Sequence, residues 1–171
     1  MKSKIIKIIT NASVIYWLYA VFIFLYFQFK DRFNLHTGDD SLSYVNFSFN
    51  SLSDIVSQER TFFYPSFLNL VKVISPDFHL LPAAQFVVYA LAVFVFFRGL
   101  RIANFSRIQA LVTALPLLHT QILWRFVHVQ VAEILSVSMA IITIAFMFMR
   151  QFKNETHQPQ ELTKKGSSGT V

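Results

Sequence analysis

An all-α integral membrane protein is the fold class this sequence predicts, and three observations predict it. Hydrophobic residues make up 54% of the chain and charged residues only 14%, where a soluble domain carries roughly 25% charged residues. The mean hydropathy is +0.49. The apolar residues gather into about four runs long enough to be transmembrane helices, and the basic residues stand at the ends of those runs, the pattern that orients helices in a bilayer.

The net charge of +6 therefore reads as topology, and no nucleic-acid partner is expected. The chain has no cysteine. That excludes a disulfide frame, a thiol nucleophile and a thiolate metal site.

The first run covers about 12–29 and follows Lys2, Lys4 and Lys7. A signal peptide also begins with bases, but its apolar core is shorter and ends at small residues. This run ends in Tyr26-Phe27-Gln28-Phe29-Lys30, an aromatic belt that marks an uncleaved anchor. The second run covers about 80–100 and closes with Arg98 and Arg101. The third, about 108–124, is weaker because it holds Gln109, Pro116, His119 and Gln121. The fourth, about 127–149, holds Glu133 and leaves room only for a tight turn at Arg125-Phe126-Val127-His128. The spacing thus predicts one transmembrane domain over 1–150. The polar tail 151–171 is expected to be disordered and cytoplasmic.

Charge orients the spans. The first loop, 30–79, holds four bases against six acids, while Arg98, Arg101 and Arg107 cluster with no acid. Four spans with both termini cytoplasmic satisfy every segment. The first loop then faces outward, into the periplasm or the extracellular space, with the bacterial inner membrane as the expected location.

That loop carries the chemistry-bearing residues. Asp39 or Asp40 is placed to cap a helix. Leu42, Val45, Phe49, Leu52 and Ile55 follow at helical spacing, which predicts an amphipathic helix on the membrane surface. Tyr64-Pro65 opens a second short helix with proline in its first turn, with Phe67, Leu68, Leu70, Val71 and Ile74 on its apolar side, and Ser75-Pro76 ends it. Asn46-Phe47-Ser48 is a glycosylation sequon, relevant only in a eukaryotic secretory route.

The motifs Asp40-Ser41-Leu42-Ser43-Tyr44 and Arg60-Thr61-Phe62-Phe63-Tyr64-Pro65, in that order after one anchor helix, resemble the N-terminal part of the GT-C membrane glycosyltransferases. The branch is the one holding the protein O-mannosyltransferases, the aminoarabinose transferases of lipid A and the Rgt-type transferases. The first motif matches well. The second matches at Arg60, Tyr64 and Pro65, while Phe62 and Phe63 replace the usual Pro and Gly. Glu133, near the outer start of the fourth run, fits a Glu that the family tends to carry there.

The resemblance implies transfer of a sugar from a polyprenyl-phosphate donor to an acceptor on the outer face. It implies Asp40 as the general base and Arg60 as a ligand of the donor phosphate. Asp39, Tyr44, Tyr64, His128 and Glu133 would complete the substrate-binding set. GT-C enzymes have many more helices, so the rest of the donor pocket is expected from a longer chain or a second membrane subunit. The alternative function is a non-catalytic membrane subunit or a lipid-linked-sugar translocase, in which Asp40 caps its helix. No cofactor is expected. Asp39 and Asp40 supply too few oxygens to hold a divalent metal alone, so metal use stays open. His36, His79, His119 and His128 show no metal-ligand spacing.

Overall fold

The computed structural model describes residues 11–37, 40–58 and 60–155, with side chains through Gln151. Among them the chain is helical, with no strand and one parallel bridge between His36 and Val129. The helices are α1 (Ala12–Phe29), α2 (Ser41–Val45), α3 (Leu52–Ser57), α4 (Phe63–Ile74), α5 (Leu81–Ile102), α6 (Arg107–Ala114), a 3-10 helix (Leu115–His119), α7 (Gln121–Phe126) and α8 (Glu133–Glu155). Three of them, α1, α5 and α8, are long and apolar enough to cross a membrane.

Helix α1 starts where the Asn11 side chain accepts from the Ser13 amide at 3.1 Å, a standard cap. It is apolar on every side. One stripe, Tyr16, Ala20, Ile23 and Phe27, is buried, while Leu18, Phe22, Leu25 and Phe29 are exposed. A helix apolar all round needs an apolar surrounding, in a large core or in lipid.

Helices α5 and α8 run parallel and side by side. Val88 shares a cavity with Ser138 and Met139 near one end, and Gly99 meets Ala145 towards the other. A Cβ on Gly99 would lie 3.0 Å from the Ala145 carbonyl oxygen, so only glycine lets the two backbones approach this closely. Gly99→Val is expected to cost about 1–3 kcal/mol by overpacking. The check is a lowered melting temperature of the detergent-purified chain; an unchanged one would mean that the helices part freely here.

Parallel neighbours require a return path, and 107–126 provides it. The expected continuous span over 108–124 is instead broken into α6, the 3-10 helix and α7. Ser106 and Gln109 start α6 with a reciprocal capping box. Pro116 has no N–H to continue an α-helical ladder, and Thr120 is extended (φ −72°, ψ 152°). The break exposes backbone acceptors, and α5 satisfies one of them. The Tyr89 hydroxyl donates to the Leu117 carbonyl at 2.9 Å and lies 3.2 Å from Thr120 Oγ1.

Other boundaries differ as well. The fourth helix starts at Glu133 rather than at 127, because 127–132 leaves the helix to pair with His36. It also runs to Glu155, past the expected end at 149. Residues 156–171, and with them most of the expected tail, lie outside the described residues.

In the first loop, the expected single amphipathic helix is two short ones, α2 and α3, separated by 46–51. Phe47 in that gap is buried, and the Gln58 side chain bridges back to Ser48 at 2.9 Å on both its amide N–H and its carbonyl. The tertiary contacts of the gap thus override the helical spacing. Helix α4 has Pro65 in its first turn and ends at Ser75, as expected. Its buried side is Tyr64, Pro65, Leu68 and Val71, while Leu70 and Ile74 are exposed. The α4–α5 turn is held by Asp77, whose carboxyl is lowered to about 2 by hydrogen bonds from His79 (2.7 Å) and Ser75 (2.9 Å).

Candidate functional site

The site is built where the first loop meets the 127–132 segment. The His36 amide donates to the His128 carbonyl at 2.8 Å, and the Gln130 amide donates to the His36 carbonyl at 3.2 Å. The buried Ser41 hydroxyl donates to the Gln130 carbonyl at 3.0 Å. These bonds seat the start of α2, and therefore Asp40, beside the entry to α8.

Asp40 stands at the N-terminus of α2, but its side chain makes no capping bond. This corrects the capping expectation. Its own backbone is helical (φ −81°, ψ −11°), which does not present the side chain to the following amides as a cap residue does. The carboxylate instead receives the Arg60 guanidinium through Nη2. Arg60 is held from two further sides: Nε donates to Ser43 Oγ at 3.2 Å, and the guanidinium lies 5.0 Å from the Tyr44 ring centre.

Tyr44 in turn meets Tyr64 edge to face at 4.9 Å. Tyr64 is buried and its hydroxyl donates to Gln85 Oε1 at 3.2 Å. Burial pushes the Tyr64 hydroxyl well above the ordinary tyrosine value, with smaller contributions from Tyr44 and the Glu133 charge. It therefore serves as a neutral donor. Gln85 completes the chain of contacts: its amide donates to the Val127 carbonyl at 2.8 Å and the Val129 carbonyl at 3.1 Å.

Four of the sequence-derived residues thus join in one cluster: Asp40, Tyr44, Arg60 and Tyr64. Glu133 is the first residue of α8 and is exposed. It lies near enough to act on Tyr64 through charge but takes no part in the ion pair. Asp39 lies outside the described residues. Below the cluster, Thr61, Phe63 and Tyr64 roof an apolar cavity of about 350 Å³ whose walls include Val88, Leu135 and Met139. Among the described residues, no three His, Asp or Glu side chains stand close enough to hold a metal ion.

His128 belongs to the supporting segment rather than to the cluster. Its ring meets His36 edge to face at 5.1 Å, and its Nδ1 is buried without a partner. Burial lowers its affinity for a proton, and the charges of His36 and Arg32 lower it further. The folded value thus lies below the ordinary one of about 6.5. A group depressed in this way adds stability above its unfolded value and loses it as pH falls through its folded value. The melting temperature is therefore expected to fall between pH 7.5 and pH 5, by less in His128→Gln. Equal falls in both proteins would assign the acid sensitivity to other groups.

The sequence reading did not single out Gln85 or Gln130, and it named Ser41 only as part of a motif. Gln85 had a signal: a lone amide inside the apolar run 80–100 is costly unless it has partners. The bond between Ser41 and Gln130 had none, since the two lie 89 positions apart.

No family model, curated protein or solved structure matches this chain.

Proposed function

We propose that the chain is a membrane-embedded part of a GT-C-type glycosyltransferase, moving a sugar from a polyprenyl-phosphate donor to an acceptor on the outer face. The observation that carries this reading is the cluster itself. Asp40 is joined to Arg60 and not to the amides of its own helix, and Tyr44 and Tyr64 of the two resembling motifs pack against that pair.

In this reading, the helices α1, α5 and α8 cross the bilayer, and 107–126 crosses as a broken fourth segment. Both termini are cytoplasmic, and the first loop lies outside. A bacterial inner membrane fits this arrangement.

The donor phosphate enters as a competitor for Arg60, whose planar fork matches two phosphate oxygens. That frees the Asp40 carboxylate to accept the proton of the acceptor hydroxyl. The acceptor oxygen bonds to the sugar carbon as the bond from that carbon to the phosphate oxygen breaks, and the phosphate leaves with the electron pair. In this reading, the apolar cavity beneath Tyr64 takes the first part of the polyprenyl chain. A second membrane subunit or further segments would enclose the rest.

The second reading is a non-catalytic subunit or a lipid-linked-sugar translocase. One observation favours it: in the structure, Asp40 and Arg60 satisfy each other, as a clip between α2 and the start of α4 would. The test is binding and transfer of a radiolabelled polyprenyl-phosphate sugar, with the chain purified alone and with a neighbouring membrane protein. Retained label that depends on Arg60 is the expected result. No retention by the wild type in either preparation would leave the non-catalytic reading.

A further inference from the structure

At the opposite end of α5 from the Asp40 cluster, a second cavity of about 460 Å³ opens between the start of α1, the end of α5 and the start of α6. The two ends are about 24 Å apart, from Gln85 to Arg101 at 1.5 Å per helical residue. Three arginines line this cavity: Arg98, Arg101 and Arg107. Arg98 and Arg101 are three apart on one helical face, so they stand side by side. The turn through Asn104, in the left-handed region at φ 63°, brings Arg107 back to face them. Arg101 is half-buried, and its Nη1 donates to the Phe105 carbonyl at 2.5 Å, which fixes the direction of its fork.

No carboxylate lines the cavity. Among the described residues, none of the three arginines has an ion-pair partner. Three like charges gathered around one space repel one another unless an anion sits between them. The N-terminal end of α1, eighteen residues long, adds its positive dipole end on the remaining side. Phe97 and Ile102 form the apolar part of the wall, and Ile102 is itself exposed.

We propose that this cavity binds a phosphate group, held by Arg98, Arg101 and Arg107 between α1, α5 and α6. Fork-shaped guanidiniums suit phosphate oxygens, and the adjoining apolar surface suits the acyl chains of an anionic lipid. Basic pockets between helices at the cytoplasmic side take lipid headgroups in this way. The site is independent of the proposed transferase reading and stands if that reading fails.

The experiment is native mass spectrometry of the full detergent-purified chain, titrated in one arm with phosphatidylglycerol against phosphatidylcholine and in a second arm with inorganic phosphate. The expected result is one retained phosphatidylglycerol, weakened at least tenfold in Arg98→Gln/Arg101→Gln/Arg107→Gln. It should be largely kept in the corresponding triple Lys variant, which preserves the charge. Arginine-dependent retention of inorganic phosphate without lipid preference would support the phosphate site and assign its ligand to a soluble source. If the triple Gln variant does not fold, Arg107→Gln alone is expected to weaken retention several-fold. Equal retention by wild type and a folded Gln variant in both arms would overturn the proposal.

Discussion

Under the proposed transferase reading, Asp40→Asn is expected to lower sugar transfer about 10²–10⁴-fold while leaving the melting temperature nearly unchanged. The two halves of this expectation come from different physics. The Asp40 side chain is 56% exposed and that of Arg60 is 32% exposed. An ion pair this open to solvent contributes only about 0.2–1 kcal/mol to stability. Asparagine keeps the shape and still offers an oxygen to Arg60, so α2 and the start of α4 stay in contact. It does not accept a proton from a hydroxyl at neutral pH, so a general-base role ends. The measurement is transfer from a radiolabelled polyprenyl-phosphate sugar, with thermal melting of the same preparations. Full transfer by Asp40→Asn would remove Asp40 from the chemistry. A large drop in melting temperature would make the pair a structural clip.

Gln85→Leu is expected to act in the opposite way, through the fold. Gln85 is fully buried. It reaches from α5 to both the Val127 and the Val129 carbonyls and accepts from Tyr64. Val127 is the residue that closes α7, where helix carbonyls lose their intrahelical partners. Leucine leaves the Val127 carbonyl and the Tyr64 hydroxyl without their partners. Val129 keeps the Val131 amide, at 3.0 Å. Each buried orphan costs roughly 1–3 kcal/mol, so a loss of about 2–6 kcal/mol is expected. Amide exchange should quicken at His36 and Gln130, whose bridge rests on the same segment. Unchanged melting and exchange would show that Gln85 fills space without holding the loop.

The residue pattern carried most of the helical architecture. Runs of apolar residues bounded by bases specify α1, α5 and α8, because burial of a long apolar segment depends on its own composition. Pro65 and Ser75 marked α4 for the same local reason. The breaks were less legible. Phe49 and Leu52 continue a helical spacing from Leu42, yet 46–51 is not helical, since Phe47 and the Gln58–Ser48 bonds decide it. Pro116 and His119 weakened the third run, but the break became tenable only because Tyr89, far away in sequence, supplies its hydroxyl.

The candidate site divides in the same way. Asp40, Tyr44, Arg60 and Tyr64 stood out through the resemblance of two short motifs, both of which lie within one loop. That Asp40 pairs with Arg60 instead of capping α2, that Glu133 stays outside the pair, and that Gln85 anchors the whole assembly were decided by tertiary contact. The arginine cavity is the clearest instance. Composition placed three bases at one end of the bundle. Their convergence on a common space arose only when the turn through Asn104 folded α6 back against α1. Local composition selects helices and their direction, because each segment's transfer into an apolar phase depends on its own side chains. The partner of a polar group is selected by whichever donor or acceptor the packed helices bring within 3 Å or so, and no single segment encodes that distance.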